Sequence, residues 1–409
     1  MRGVKRSDNP ALVAREKALW VEYGLTGPIV PDAILKECQR RLRDATPGSD
    51  LESDLKKDLQ SLDELHQFRK QGSDTFAQAY PVGVWKDVKA VEPSESTRSK
   101  GRHFWAVVIG NDSYPECPLR GCINDADLVH DFLISYLNVP GDHIRILQDA
   151  SRETMVNTLY DLRDDPRIRH GDNILIHFSG HGSSYRAADF FTSDVARASS
   201  IEAICPVDRS DKIPDISERE LCSILSEIHT AKGPNITLIF DCCHSGGALR
   251  ALDVVTANLD GAVRYVAPVG GKKGILMMFK AAEEHPRRRP SSGTLTSEDW
   301  VVDVSPFVQQ LAACQDFQLA RESNFTGDHG GNSNTSVRQN WGRHKEQPSS
   351  LHGCFTWALM KLLKSEEGKN ATYESVITQI GRLGPMQVPV GFGSRRTARL
   401  WFGEPEVRN

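Results

Sequence analysis

Two short segments of the 409-residue chain set a reactive side chain beside glycine. Ser179-Gly180-His181-Gly182 offers an imidazole, and Asp241-Cys242-Cys243-His244-Ser245-Gly246-Gly247 offers a thiol. A protonated thiol is a poor nucleophile. An adjacent imidazole can take its proton, stabilise the thiolate and return the proton to a leaving amine. A lone Cys or His is usually an inert packing residue. Here both would have to be inert at once, each at the end of a strand-like run. The pair is therefore read as nucleophile Cys243 and base His181. Gly180 and Gly182 let His181 project from a tight turn. Gly246, with the backbone N–H groups after the thiol, suits an oxyanion hole.

These motifs need elements to carry them. Phe104–Gly110, His143–Leu147, Asn173–Phe178 and Asn235–Phe240 are short apolar runs suited to strands buried on both faces. Between them, Ala126–Leu137, Arg152–Leu162 and Ser217–His229 suit helices. The alternation implies an α/β fold in three layers, a mostly parallel sheet flanked by helices. Both motifs follow strands, where open α/β sheets gather their reactive groups. Further along, the sequence predicts a strand at Phe307–Ala313, helices at Cys354–Lys364 and Tyr373–Leu383, and a last strand at Arg399–Phe402.

Residues 1–100 read as a helical extension and linker. Leu51, Leu55, Leu59, Leu62, Leu65 and Phe68 form one apolar stripe, with Asp50 as its N-cap. Helices are also expected at Pro10–Tyr23 and Pro31–Arg43. Residues 101–409 form the second domain, divided at a basic loop, 267–300, that carries Lys272, Lys273, Arg287, Arg288 and Arg289. Thr326–Ser350 is polar and aperiodic and is expected to be mobile. Net charge is −4, which gives no reason to expect nucleic acid or an anionic membrane as partner. No apolar run reaches the ~18 residues of a membrane span. The charged start predicts no secretory signal, and nine scattered cysteines read as reduced thiols, so a cytoplasmic location is expected.

The chain resembles the caspase-like cysteine peptidases, and among them the metacaspases, over roughly residues 103–402. The resemblance rests on Ser179-Gly-His-Gly182 and Asp241-Cys-Cys-His-Ser-Gly246, with the histidine 62 positions ahead of Cys243. Leu119–Ala126, Cys205-Pro-Val-Asp208, Leu311–Gln315 and Gly353–Thr356 support it. It implies that His181 is the general base, Cys243 the nucleophile and Cys242 a packing residue. It also implies backbone N–H groups at Gly182 and Cys243 for the oxyanion, and a pocket at Cys122, Asp125, Ser179 and Asp241 that takes arginine or lysine. Two carboxylates facing a guanidinium give charge-assisted hydrogen bonds, whereas an acidic residue would be repelled. The bland roles for Asp125 and Asp241 are helix cap and turn stabiliser.

The expected activity is endopeptidase cleavage after basic residues of polypeptide substrates, with self-processing in the basic loop. Zymogen behaviour and programmed cell death attach only through the resemblance. Many relatives hold calcium with an acidic cluster after the histidine motif. Acids are sparse here, leaving Asp189 and Glu202 as weak candidates, and Arg250 stands where such enzymes carry an acid. A hard cation wants several oxygen ligands, so no cofactor is expected to be required. Two other readings compete: a catalytically weak or inactive scaffold or regulator, and a Cys-His transpeptidase.

Overall fold

The computed structural model describes Leu19 and residues 31–46, 48, 49, 51–60, 62, 83–93, 100–191, 200–243, 262–289, 294–297, 303–314, 318–325, 351–384 and 387–402. The described residues fall into two units, one ending at Leu62 and one beginning at Gly83.

The larger unit is built on six strands. In chain order its elements are β1 (Phe104–Gly110), α1 (Cys122–Asp131), β2 (Ile144–Gln148), α2 (Arg152–Asp164), β3 (Asn173–Ser179), β4 (Gly182–Arg186), β5 (Ser200–Ile204), β6 (Ile216–Ser217), α3 (Glu218–Lys232), β7 (Ile236–Asp241), α4 (Gly271–Glu283), β8 (Val308–Ala312), β9 (Glu322–Asn324), β10 (Leu351–Gly353), α5 (Cys354–Leu363), α6 (Tyr373–Ile380) and β11 (Val390–Phe392). The sheet order is β11-β8-β7-β3-β1-β2, and only β11 runs antiparallel. The expected mostly parallel sheet flanked by helices is what forms.

Period-two alternation divides the sheet's side chains between two faces. Val107, Ile109, Ile174, Ile176 and Leu238 pack against Val156 and Leu159 of α2 and Leu221, Ile224 and Ile228 of α3. His177 and Thr237 point the other way and meet Thr356 of α5 and Tyr373 of α6. Side-chain caps fix where three of these helices start. Ser151 and Ser217 accept from the third residue of α2 and α3, and Thr372 forms a capping box with Ser375 at α6.

Three expectations are corrected. Residues 267–300, expected as a loop, contain α4, whose Ile275, Met278, Phe279 and Ala282 bury one apolar face. The strand expected at Arg399–Phe402 is a short 3-10 turn instead. Trp401 there has φ 61°, outside the strand region, and its ring packs edge-on against Phe104. The last strand is β11. The helix expected from Ala126 begins four residues earlier, at Cys122, and passes into a π-turn at Phe132–Tyr136.

In the smaller unit, a helix spans Pro31–Asp44 and another covers 51–60. Leu55 and Leu62 are buried as the stripe predicts, but Leu51 is exposed. Ser49 accepts the Glu52 N–H at that helix's start. Asp50, Leu65, Phe68, the Pro10–Tyr23 helix apart from Leu19, and Thr326–Ser350 lie outside the described residues. No helix among the described residues is long and apolar enough to cross a membrane.

Candidate active site

Strands β3 and β7 are neighbours in register, with Ser179 opposite Asp241. Each strand therefore delivers its motif to the same sheet end, and the residues two positions on, His181 and Cys243, leave side by side. The two backbones nearly touch. A Cβ on Gly182 would lie 2.0 Å from the Cys243 carbonyl oxygen. Gly182 does not have a positive φ, so space rather than backbone conformation requires glycine here.

His181 is held on both sides. Its N–H donates to the Tyr114 hydroxyl at 3.0 Å, and the Tyr114 ring packs on the imidazole. Nε2 lies 2.7 Å from the Cys117 carbonyl. A carbonyl only accepts, so Nε2 carries the proton and Nδ1 is left as the acceptor. Nδ1 is buried and has no hydrogen-bond partner. Burial, aided by the nearby charges of Arg209 and Arg264, lowers the imidazole pKa to about 4. The ring is thus a neutral base with its lone pair unused.

The Cys243 thiol rests elsewhere. Its sulfur lies 3.0 Å from the Ala320 N–H and 3.5 Å from the Ala320 carbonyl. Cys243 and His181, the expected nucleophile and base, lie at one sheet end but are not hydrogen-bonded to each other. Catalytic contacts of this kind often tighten only once substrate is bound. Cys242 points into the hydrophobic core, where burial pushes its thiol pKa well up, so it is the packing residue expected.

The expected pocket residues converge, but their pocket is filled by Arg264, which is fully buried. Nη2 donates to Asp125 Oδ2 at 2.7 Å and to Glu322 Oε1 at 3.2 Å. Nη1 donates to Ser179 Oγ at 2.7 Å and lies 3.2 Å from Asp241 Oδ1. Cys122 lines the same space, its sulfur 3.6 Å from Glu322. Further bonds fix the carboxylates. Asp125 accepts from Ser179 Oγ and the Gly353 N–H, and Asp241 accepts from the Thr356 N–H and hydroxyl. Burial raises both acids, but Arg264 and His352 hold Asp125 below its ordinary range, while at Asp241 burial wins and the shift is upward. Asp125 is not the cap of α1. Asp112 does that work, accepting from the N–H groups of Cys122 and Ile123.

The backbone of Arg264 is equally engaged. Its carbonyl oxygen accepts from the N–H groups of Gly182 at 3.0 Å and Cys243 at 3.1 Å. These are the two groups expected to form the oxyanion hole. Gly246, His244 and Arg250 lie outside the described residues.

Asp189 pairs with Arg186, and neither it nor Glu202 joins a cluster of three candidate metal ligands. The one such cluster among the described residues is Asp112, Cys122 and Glu322, whose acids are engaged with backbone N–H groups and Arg264.

Arg264, Glu322, Tyr114 and the Cys117 carbonyl were not foreseen. Arg264 did carry a signal, as a lone charge inside the apolar run Val263-Arg-Tyr-Val266. Glu322 sits in a short strand with no distinctive spacing, and a carbonyl acceptor has no sequence signature.

Residues 105–252 match the family profile described as metacaspase, peptidase C14 domain. Metacaspase-9 of Arabidopsis thaliana is 34% identical over 156 residues, 35% of this chain and 44% of that protein. Metacaspase-1 of Saccharomyces cerevisiae is 30% identical over 167 residues, 39% of this chain and 37% of that protein. The chain thus spans less than half the length of these relatives. The crystal structure of Caspase-1 from Spodoptera frugiperda overlays with a TM-score of 0.39 and 10% identity, covering 78% of this chain and 100% of that one.

Proposed function

We propose that this chain, which matches the metacaspase profile over residues 105–252, is a cysteine endopeptidase that cuts polypeptides after arginine or lysine. The observation that carries this reading is the treatment of Arg264. One basic side chain is neutralised by three carboxylates while its own carbonyl sits on two N–H donors beside the thiol of Cys243.

In this reading a substrate residue takes the place that Arg264 occupies. Its guanidinium meets Asp125, Asp241, Glu322 and Ser179. Its carbonyl is polarised by the N–H groups of Gly182 and Cys243. His181 Nδ1 accepts the thiol proton, the sulfur attacks the carbonyl carbon, and the same nitrogen then protonates the departing amine. The Cys117 carbonyl holds the ring in the required tautomer and stabilises the imidazolium. Water, deprotonated by His181, releases the acid product from the thioester. No step draws on a metal or organic cofactor. A cytoplasmic location, expected from the reduced thiols, belongs to the same proposal.

The experiment is hydrolysis of matched arginyl, lysyl and aspartyl fluorogenic peptides by the purified chain, with and without calcium. Cleavage of the two basic peptides supports the reading. Preference for the aspartyl peptide contradicts it, as does dominant transfer to an added amine.

A further inference from the structure

His352 faces the carboxylate pocket from behind Asp125. It lies on β10 directly before Gly353 and is buried. Its Nδ1 is 3.2 Å from Asp125 Oδ1. Asp125 is held below its ordinary range and is ionised, and a carboxylate only accepts. Nδ1 therefore carries a proton and donates it, and a second proton enters at Nε2. The two oxygens of Asp125 have separate partners. Oδ2 accepts from Arg264 Nη2 and Ser179 Oγ, and Oδ1 faces His352, while the Gly353 N–H is 3.1 Å from both. One carboxylate thus stands between a guanidinium and an imidazole. Trp357 of α5 packs its ring against His352 at 4.8 Å, a neighbour that suits an imidazolium. Asp127 of α1 is also within electrostatic reach of His352. Glu322 of β9 lies opposite Gly353, and Asp241 of β7 and Arg264 complete the charged surroundings.

We propose that His352 is a positioning residue for the basic side chain of the substrate: a cation on Asp125 Oδ2 and a proton on His352 compete for the charge of one carboxylate, so the pocket binds a basic residue more tightly when the imidazole is neutral. This deepens the proposed protease function and rests on it. Without a cation between them, Asp125, Asp241 and Glu322 are three carboxylates in one buried space, and an imidazolium beside Asp125 offsets part of that charge. A guanidinium or ammonium that enters supplies the offset instead, and the Nε2 proton is released. The linkage is reciprocal, so whatever the cation takes from the proton the proton takes from the cation. The guanidinium of an arginyl substrate stays charged at every pH concerned, so the dependence belongs to the protein.

Two other groups titrate near the site and act differently. His181, lowered by burial to about 4, stays neutral where His352 exchanges its proton. Asp241, raised by burial, takes up protons in an empty pocket and adds a slope of its own. A His352 that only filled space beside Trp357 would leave KM independent of its protonation. A competing proton moves KM and leaves kcat nearly alone, because Cys243 and His181 set the rate once the pocket is filled.

The test is steady-state hydrolysis of an arginyl fluorogenic peptide by the full chain between about pH 6 and about pH 8, the range in which histidines exchange their proton. The chain is used unaltered and as His352→Asn and His352→Phe. The first substitution keeps an N–H donor close to the place of Nδ1 but cannot be protonated, and the second removes the donor. In the unaltered chain KM rises about 10-fold from the upper pH to the lower, within the range of coupling between two linked sites, while kcat changes far less. His352→Asn loses most of that rise and keeps only the part that Asp241 supplies. His352→Phe raises KM about 10-fold at both ends, the value of one hydrogen bond to a charged group. If His352→Asn does not fold, His352→Gln takes its place. A KM in the unaltered chain that does not change with pH, or the same rise in the variant that keeps the donor, overturns the proposal and leaves the protease function standing. No hydrolysis of the arginyl peptide by the folded, unaltered chain overturns both.

Discussion

At the scale of single residues, the site divides its cysteines and carboxylates by environment. Cys242 and Cys243 are adjacent in sequence, yet one faces the core and the other rests its sulfur on the Ala320 backbone. Cys243→Ala is expected to abolish arginyl peptide hydrolysis, whereas Cys242→Ala retains most of it. Steady-state rates on both variants check this, and the reverse pattern would reassign the nucleophile. The proposed specificity for basic residues assigns Glu322 to the discrimination of arginine from lysine. Its carboxylate accepts from Arg264 Nη2 while Ser179 Oγ accepts from Nη1, a spread over two nitrogens that a guanidinium fills and a single ammonium does not. Glu322→Gln should lower kcat/KM for an arginyl peptide by about 10-fold or more, the value of one charged hydrogen bond, and lower it less for the lysyl peptide. Equal losses for both would remove Glu322 from the discrimination.

At the scale of elements, the parallel register of β3 and β7 brings two distant motifs together, and Gly182 marks where they touch. Gly182→Ala forces the start of β4 away from Cys243 and displaces one of the two N–H groups proposed to hold the oxyanion. A fall in kcat of about 10²–10³-fold is expected, with the circular dichroism spectrum unchanged. Removing the cap of α3 by Ser217→Ala should instead lower stability by about 1 kcal/mol in denaturant titration. The strands and both motifs were legible because apolar runs and glycine-flanked reactive residues are local signals. Helix α4 also had a local signal, with Ile275, Met278, Phe279 and Ala282 at helical spacing, but the glycines and lysines around it read as loop. The occupant of the pocket was not legible. That Arg264 meets Asp125 and Glu322 depends on tertiary placement across 139 and 58 positions, which no spacing rule encodes.

At the scale of the whole molecule, the larger unit buries charge and titratable rings around one end of its sheet. His177 and His181 both have pKa values lowered to about 4, chiefly by burial. The unfolded chain binds these protons near pH 6.5, and the folded chain only near 4. Stability is therefore complete above about 6.5 and falls as pH drops from there towards 4. At pH 5 each ring lowers stability by roughly 2 kcal/mol relative to pH 7. His177→Gln in the Cys243→Ala background should remove about that much of the loss, read from denaturation at the two pH values; an unchanged pH dependence would contradict it. The central claim is that Cys243 reacts at the carbonyl of a basic residue seated among these carboxylates. Peptide mapping of the chain after treatment with an arginyl chloromethyl ketone, beside its aspartyl counterpart, tests this most directly. The account predicts a single arginyl adduct on Cys243 and none from the aspartyl reagent. An adduct on another cysteine, or equal labelling by both reagents, would contradict it.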